Sequence, residues 1–135
     1  MAFVLDASVV VAWWSADTQY PVADAALERL AGDQAVVPAF WWFDVRQSLL
    51  ASERRQQRDV VGTAAFRQRL GRLPVLVDGE PDEAALFDLA RCHRLAIHDA
   101  AYFELALRLG VALATTSGDL VRAAPLAGVT LLTAP

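Results

Sequence analysis

The chain predicts an α/β fold: a three-layer α/β/α sandwich built on a short parallel central sheet. Three observations carry that prediction. Short, continuously apolar runs alternate with stretches of helical period along all 135 residues. The apolar runs do not alternate with polar residues, as strands covered on both faces do not. No Asn-Gly or Asp-Gly hairpin joins two of them, so the strands need crossover connections. The length suits a single domain with one core, spanning residues 1–135.

Phe3-Val4-Leu5 reads as the first strand, and Ser8 to Trp14 as a helix with Ser8 available as its N-cap. Between Tyr20 and Leu30 the positions Val22, Ala23, Ala26, Leu27 and Leu30 recur every three or four residues, which predicts an amphipathic helix ended by Gly32. Ala35-Val36-Val37 is a second strand, stopped by Pro38. A long helix follows from Phe40 to about Arg55, and another from Asp59, its candidate cap, to about Gly71. Val75-Leu76-Val77 is a third strand. Glu80-Pro81-Asp82-Glu83 has the composition of a helix start, with Pro at the first helical position and acids against the dipole, and that helix runs to about Arg91. A helix from His98 or Asp99 to Gly110, a strand from Val111 to Ala114, a short helix from Gly118 to Ala123 and a last strand from Val129 to Leu132 complete the chain.

Composition narrows the function classes. The chain is 56% hydrophobic with a mean hydropathy of +0.32, yet no apolar run approaches the roughly 18 residues of a membrane span. No basic n-region with a cleavage site opens it, so a cytoplasmic protein without membrane attachment is expected. Cys92 is the only cysteine, which rules out an internal disulfide and a cysteine-based zinc site. All 12 basic residues are arginine, and the formal net charge is −4. Seven of the arginines, Arg46, Arg54, Arg55, Arg58, Arg67, Arg69 and Arg72, crowd between positions 46 and 72 against Glu53 and Asp59 alone. That asymmetry fits a positive patch beside an acidic site, and equally two solvated helix faces.

The acids stand where chemistry is expected. Asp6 follows the first strand, just outside its carboxyl end, where open α/β sheets leave a crevice. Asp44 lies one turn into an aromatic-rich helix, Asp99 opens a helix, and Asp119 follows a strand across Thr115-Thr116-Ser117-Gly118. Asp99 and Asp119 are also ordinary helix-capping types, and His98 reads as an exposed loop histidine. Clustered carboxylates repel one another, and a hard dication such as Mg²⁺ or Mn²⁺ relieves the conflict while activating water for phosphodiester hydrolysis.

The opening Phe-Val-Leu-Asp6-Ala-Ser8-Val, the segment His98-Asp99-Ala-Ala-Tyr102 with Glu104-Leu-Ala, and Leu113-Ala-Thr115 before Gly118-Asp119-Leu together resemble the PIN-domain family. More narrowly, the chain is similar to VapC-type ribonuclease toxins of bacterial toxin–antitoxin pairs. The resemblance covers nearly the whole chain. It implies a PIN-like sandwich and a metal-dependent endoribonuclease that cleaves RNA with Mg²⁺ or Mn²⁺ held by Asp6, Asp99 and Asp44. It implies catalytic work for those three and Asp119, and substrate contacts from Ser8, Thr115 and Ser117; Arg46, in the arginine-rich stretch, is a further candidate for phosphate contact. It also implies a homodimer that clamps a cognate antitoxin in an apolar groove. Two positions depart from the family pattern: the helical acid is usually Glu in a Glu-Val-x-Asn-like sequence and here is Asp44-Val45-Arg46-Gln47, and the Asp of the Thr-x-Asp step is Ser117. The departures keep a second function in view, a PIN-fold module of weakened catalysis that binds a partner protein or RNA. Trp13, Trp14, Trp41 and Trp42 read equally as ordinary core residues or as contributing some members to an exposed partner surface.

Overall fold

The strand β1 (Ala2–Leu5) organises the molecule: its Phe3, Val4 and Leu5 are fully buried. The computed structural model describes residues 1–15 and 20–133. On one side β1 pairs with β2 (Gln34–Val37), Phe3 opposite Ala35; on the other it pairs with β4 (Leu113–Ala114), Leu5 opposite Ala114. The strand β3 (Val75–Val77) extends the sheet beyond β2, giving the order β3-β2-β1-β4 with every pairing parallel. Leu76 and Val77, on this edge strand, remain half exposed.

Parallel pairing forces a helical crossover between strands. The helices are α1 (Ala7–Trp14), α2 (Pro21–Arg29), α3 (Trp41–Arg54), α4 (Val60–Leu70), α5 (Glu83–His93), α6 (Ile97–Leu109) and α7 (Gly118–Ala127). They form two packed groups, α1 to α4 and α5 to α7, flanking the sheet as the expected α/β/α sandwich. The helix α6 is the most deeply set, with every residue from Ala100 to Ala106 buried. Gly110 and Gly128 end α6 and α7 in the left-handed region (φ 66° and 75°), where a Cβ would be strained. None of the described helices is long and apolar enough to cross a membrane.

Several local expectations are corrected. Asp6, not Ser8, caps α1, its carboxylate accepting the Ser8 N–H; Ser8 lies inside the first turn. Asp82 caps α5 by accepting from Ala85 N–H, so Pro81 stands outside the helix. Gly32 does not form a left-handed cap; α2 stops at Arg29 and Gly32 follows in a turn. The helix α7 runs on to Ala127, through Pro125. The last strand shrinks, within the described residues, to one parallel bridge between Leu113 and Leu131. Asp59 does cap α4, accepting from Gly62 N–H at 2.7 Å.

Candidate active site at the carboxyl edge of the sheet

Where β1 ends, the Asp6 N–H still bonds the sheet, donating to Ala114 O at 3.0 Å. Its side chain turns into a pocket of donors and is only 6% exposed. Asp6 Oδ1 accepts the Ser8 N–H at 3.2 Å. Asp6 Oδ2 accepts two hydroxyls, Ser8 Oγ at 2.9 Å and Thr115 Oγ1 at 2.6 Å. Each hydroxyl is in turn fixed by a backbone donor: Thr116 N–H on Ser8 Oγ and Ser117 N–H on Thr115 Oγ1, both at 3.0 Å. The chain of bonds runs in one direction, from amide to hydroxyl to carboxylate, so each link polarises the next. It sews the β1–α1 turn to the β4–α7 loop and sets the carboxylate in one orientation.

Tyr102 completes this arrangement. Its hydroxyl accepts the Ala7 N–H at 3.2 Å, satisfying a donor at the start of α1 that lies beyond the reach of the Asp6 cap. Burial, then the charges of Asp6 and Asp44, hold the phenol well above the ordinary tyrosine range, so it stays neutral. Tyr102 was not singled out as a site residue from sequence. The available signal was its place three residues after Asp99, on the same side of one helix.

The other candidate acids sit in the first turns of three helices. Asp99 is half-buried in the first turn of α6. Burial raises its carboxyl above the usual range, the charges of Asp6 and Asp119 raise it further, and His98 opposes them. Asp44 is half-buried in the first turn of α3. Asp119 is exposed in the first turn of α7 and pairs with Arg122 at 3.3 Å. Asp99 therefore feels Asp6 and Asp119, and Tyr102 feels Asp6 and Asp44. Among the described residues no arginine forms an ion pair with Asp6, Asp44 or Asp99.

Arg46 turns elsewhere. Its guanidinium lies 4.0 Å from the centre of the Trp42 ring and donates to Trp42 O, so it leaves Asp44 free of a direct pairing. It lines a cleft of about 710 Å³ between α3 and α4, together with Trp42, Leu50, Val60 and Arg67. Ser117 begins α7 without a side-chain cap and contributes to the anchor through its backbone N–H. Of the four tryptophans, Trp14 and Trp41 are buried, Trp13 is partly buried with its indole N–H on Ala23 O, and only Trp42 is half exposed.

Residues 3–125 match the PIN domain family model. The chain belongs to the PIN-domain family. Solved structures share its fold at low identity. FitAcB from Neisseria gonorrhoeae is 16% identical with a TM-score of 0.65, covering 97% of this chain and 96% of its own. A toxin–antitoxin complex from Klebsiella pneumoniae is 17% identical with a TM-score of 0.59, covering 87% and 88%. The sarcin-ricin loop cleaving toxin VapC20 of Mycobacterium tuberculosis is 17% identical with a TM-score of 0.60, covering 90% and 94%. A comparison with curated proteins finds no significant match.

PIN domains are nucleases that generally use divalent metal ions. The donors of this PIN domain suit such an ion: carboxylate and hydroxyl oxygens only, with acidic charge that no described arginine neutralises at Asp6, Asp44 or Asp99. Their positions are open, however. Among the described residues no three His, Cys, Asp or Glu side chains stand close enough to hold one ion between them. Joint coordination would require Asp44 and Asp99 to close on the anchored Asp6 carboxylate.

A second polar cluster lies in the body of the fold. Glu104, 2% exposed at its side chain, accepts Arg108 Nε at 2.6 Å and the Asp82 N–H at 3.1 Å. Arg108 also grips Asp78, just after β3, at 2.6 Å. This cluster ties α6 to the β3–α5 connection.

Proposed function

We propose that this PIN domain is a metal-dependent endoribonuclease, the toxin of a type II toxin–antitoxin pair acting in the cytoplasm. The observation that carries the proposal is the Asp6 carboxylate, anchored by Thr115 and Ser8, whose charge acts with that of Asp119 on Asp99, while no described arginine pairs with Asp6, Asp44 or Asp99. Structural likeness to a toxin–antitoxin complex and to a toxin that cleaves the sarcin-ricin loop supports it.

Asp6, Asp44 and Asp99 would supply the oxygens for Mg²⁺ or Mn²⁺. When bound, the ion supplies activation of water and stabilisation of charge developing on the phosphate. Thr115 and Ser8 keep Asp6 from swinging away, which spares reorganisation when RNA arrives. Asp119, or the Ser117 hydroxyl, orients the attacking water. Water oxygen bonds to phosphorus and gives up a proton, the phosphorus–oxygen bond to the ribose oxygen of the departing RNA fragment breaks, and that oxygen takes up a proton. Arg46, Arg67 and their neighbours on α3 and α4 would track the phosphate backbone of single-stranded or looped RNA. The antitoxin would dock against the apolar α3–α4 face, where Phe43 and Val60 are about 70% exposed. A homodimer completes the proposal; sedimentation as monomer alone at micromolar concentration contradicts that part of it.

The test is cleavage of RNA with Mg²⁺ or Mn²⁺, lost in Asp6→Asn and in EDTA. Cleavage undiminished by either change overturns the proposal. One observation favours a second function, the binding module of weakened catalysis: the acids are not closed on a common point. Calorimetric titration with Mn²⁺ separates the two. No binding at millimolar metal, with partner binding intact, favours the module.

A further inference from the structure

Beside the acidic rim, Phe40, His98 and Tyr102 stand in a row. Phe40 is the residue before α3, and the centre of its ring lies 4.2 Å from His98 and 5.6 Å from Tyr102. His98 and Tyr102 are four apart on α6 and so present one side of that helix, with Phe40 packed against both. The row runs outward from the core. Tyr102 is buried with its hydroxyl on the Ala7 N–H, Phe40 is half-buried, and His98 is exposed. Asp44 lies one helical turn beyond Phe40, and Asp99 follows His98 in the chain. The row therefore ends in solvent beside the carboxylates.

The His98 ring is tilted 54° to the Phe40 ring that supports it, and as an exposed planar side chain it keeps surface open to solvent. No hydrogen bond to a described residue uses the imidazole of His98, and Phe40 is its aromatic neighbour. Stacking on aromatic rings is how proteins bind unpaired bases, because every base has a π-face. We infer that His98, backed by Phe40, stacks an unpaired base of the bound RNA next to the phosphate presented to the acids. This deepens the proposed ribonuclease function by naming the residue that selects a single-stranded, base-bearing substrate. A base in a duplex is already stacked and is not offered to the ring, so the platform favours loops and single strands over helices. The interaction is tolerant of base identity. It holds the strand in register and leaves the chemistry to the carboxylates.

The experiment measures binding of two fluorescein-labelled eight-residue strands, oligoadenylate and an abasic ribose-phosphate strand of the same length. It uses an Asp99→Asn background, so that hydrolysis does not deplete the probe. Adding His98→Ala weakens oligoadenylate binding about tenfold, the range that loss of one stacked base gives, and changes abasic binding less than twofold. Adding His98→Phe instead restores the oligoadenylate affinity. An equal loss for both strands, no loss for either, or failure of Phe to restore binding overturns the inference. The two proposals fail separately. An unaltered chain that cleaves no RNA with Mn²⁺, yet shows the base-dependent loss, sinks the catalytic function and keeps the stacking site. Cleavage with no base-dependent loss does the reverse.

Discussion

Thr115 Oγ1 donates to Asp6 Oδ2 at 2.6 Å, joining two loops 109 residues apart in sequence. The bond is short, buried and made to a carboxylate, the combination in which a hydroxyl contributes most. It also stands at the end of a relay, since Ser117 N–H orients the same hydroxyl. Thr115 therefore has two tasks, closing the sheet edge and aiming the acid.

Thr115→Val keeps the shape and removes the donor. We expect a loss of about 2 kcal/mol in unfolding free energy by urea titration, because a carboxylate in a 6% exposed site loses a charge-assisted bond. Thr115→Ser retains the bond and should lie within about 1 kcal/mol of the parent. A Val variant as stable as the Ser variant shows that the hydroxyl contributes nothing.

Tyr102→Phe tests the other support of the same turn. The Ala7 N–H, buried with its residue, loses its acceptor while the ring packing against Phe40 survives. An unsatisfied buried donor costs about 1–3 kcal/mol. Hydrogen exchange reads the effect locally: amides in the first turn of α1 should lose protection before those of α6. Uniform loss of protection across both helices contradicts the assignment of Tyr102 to this turn.

How much of this was open to sequence reasoning depends on range. The α/β sandwich and the place of Asp6 follow from local apolar runs and from the polarity shared by parallel strands. The N-cap of α1 did not follow, because Asp6 and Ser8 are both capping types, and only the extended backbone at Asp6 decides between them. The last strand was overread, since Val129 to Leu132 has a strand's composition but, among the described residues, finds only Leu113 to pair with. Tyr102 and Glu104 were visible in a motif, yet their partners Ala7 and Asp82 come from other elements and leave no mark on spacing. Distance between carboxylates is the same kind of quantity, and the open arrangement of Asp6, Asp44 and Asp99 is found only in three dimensions.

Arg108→Ala separates structure from the rim. It strips the buried Glu104 of its guanidinium and Asp78 of its pair. Leaving a buried carboxylate unpaired costs about 3–5 kcal/mol in an enclosed site. Arg108 is itself 35% exposed, so water screens part of the pair and about 2 kcal/mol is expected. Glu104→Gln together with Arg108→Met should recover most of the loss, since neither charge then remains. Failure of the double variant to exceed Arg108→Ala contradicts this account.

Asp99 provides the test in which stability and function oppose each other. Its folded carboxyl is raised by burial and by Asp6 and Asp119, so the folded state binds that proton more tightly than the unfolded chain. The favourable contribution of the protonated form is complete below the unfolded value of about 3.8 and is lost as pH rises through the folded value. At neutral pH the ionised group therefore opposes folding. Asp99→Asn removes that opposition and should raise the melting temperature measured in EDTA, by an amount equivalent to less than about 1 kcal/mol because the group is half exposed to screening water. Mn²⁺ should reverse the ranking. If the unaltered chain holds the ion with Asp99, free metal at 100 times its dissociation constant stabilises it by about 2.7 kcal/mol, and the Asn variant gains less. A variant that is less stable in EDTA, or that gains as much from Mn²⁺ as the parent, removes Asp99 from the proposed ligands.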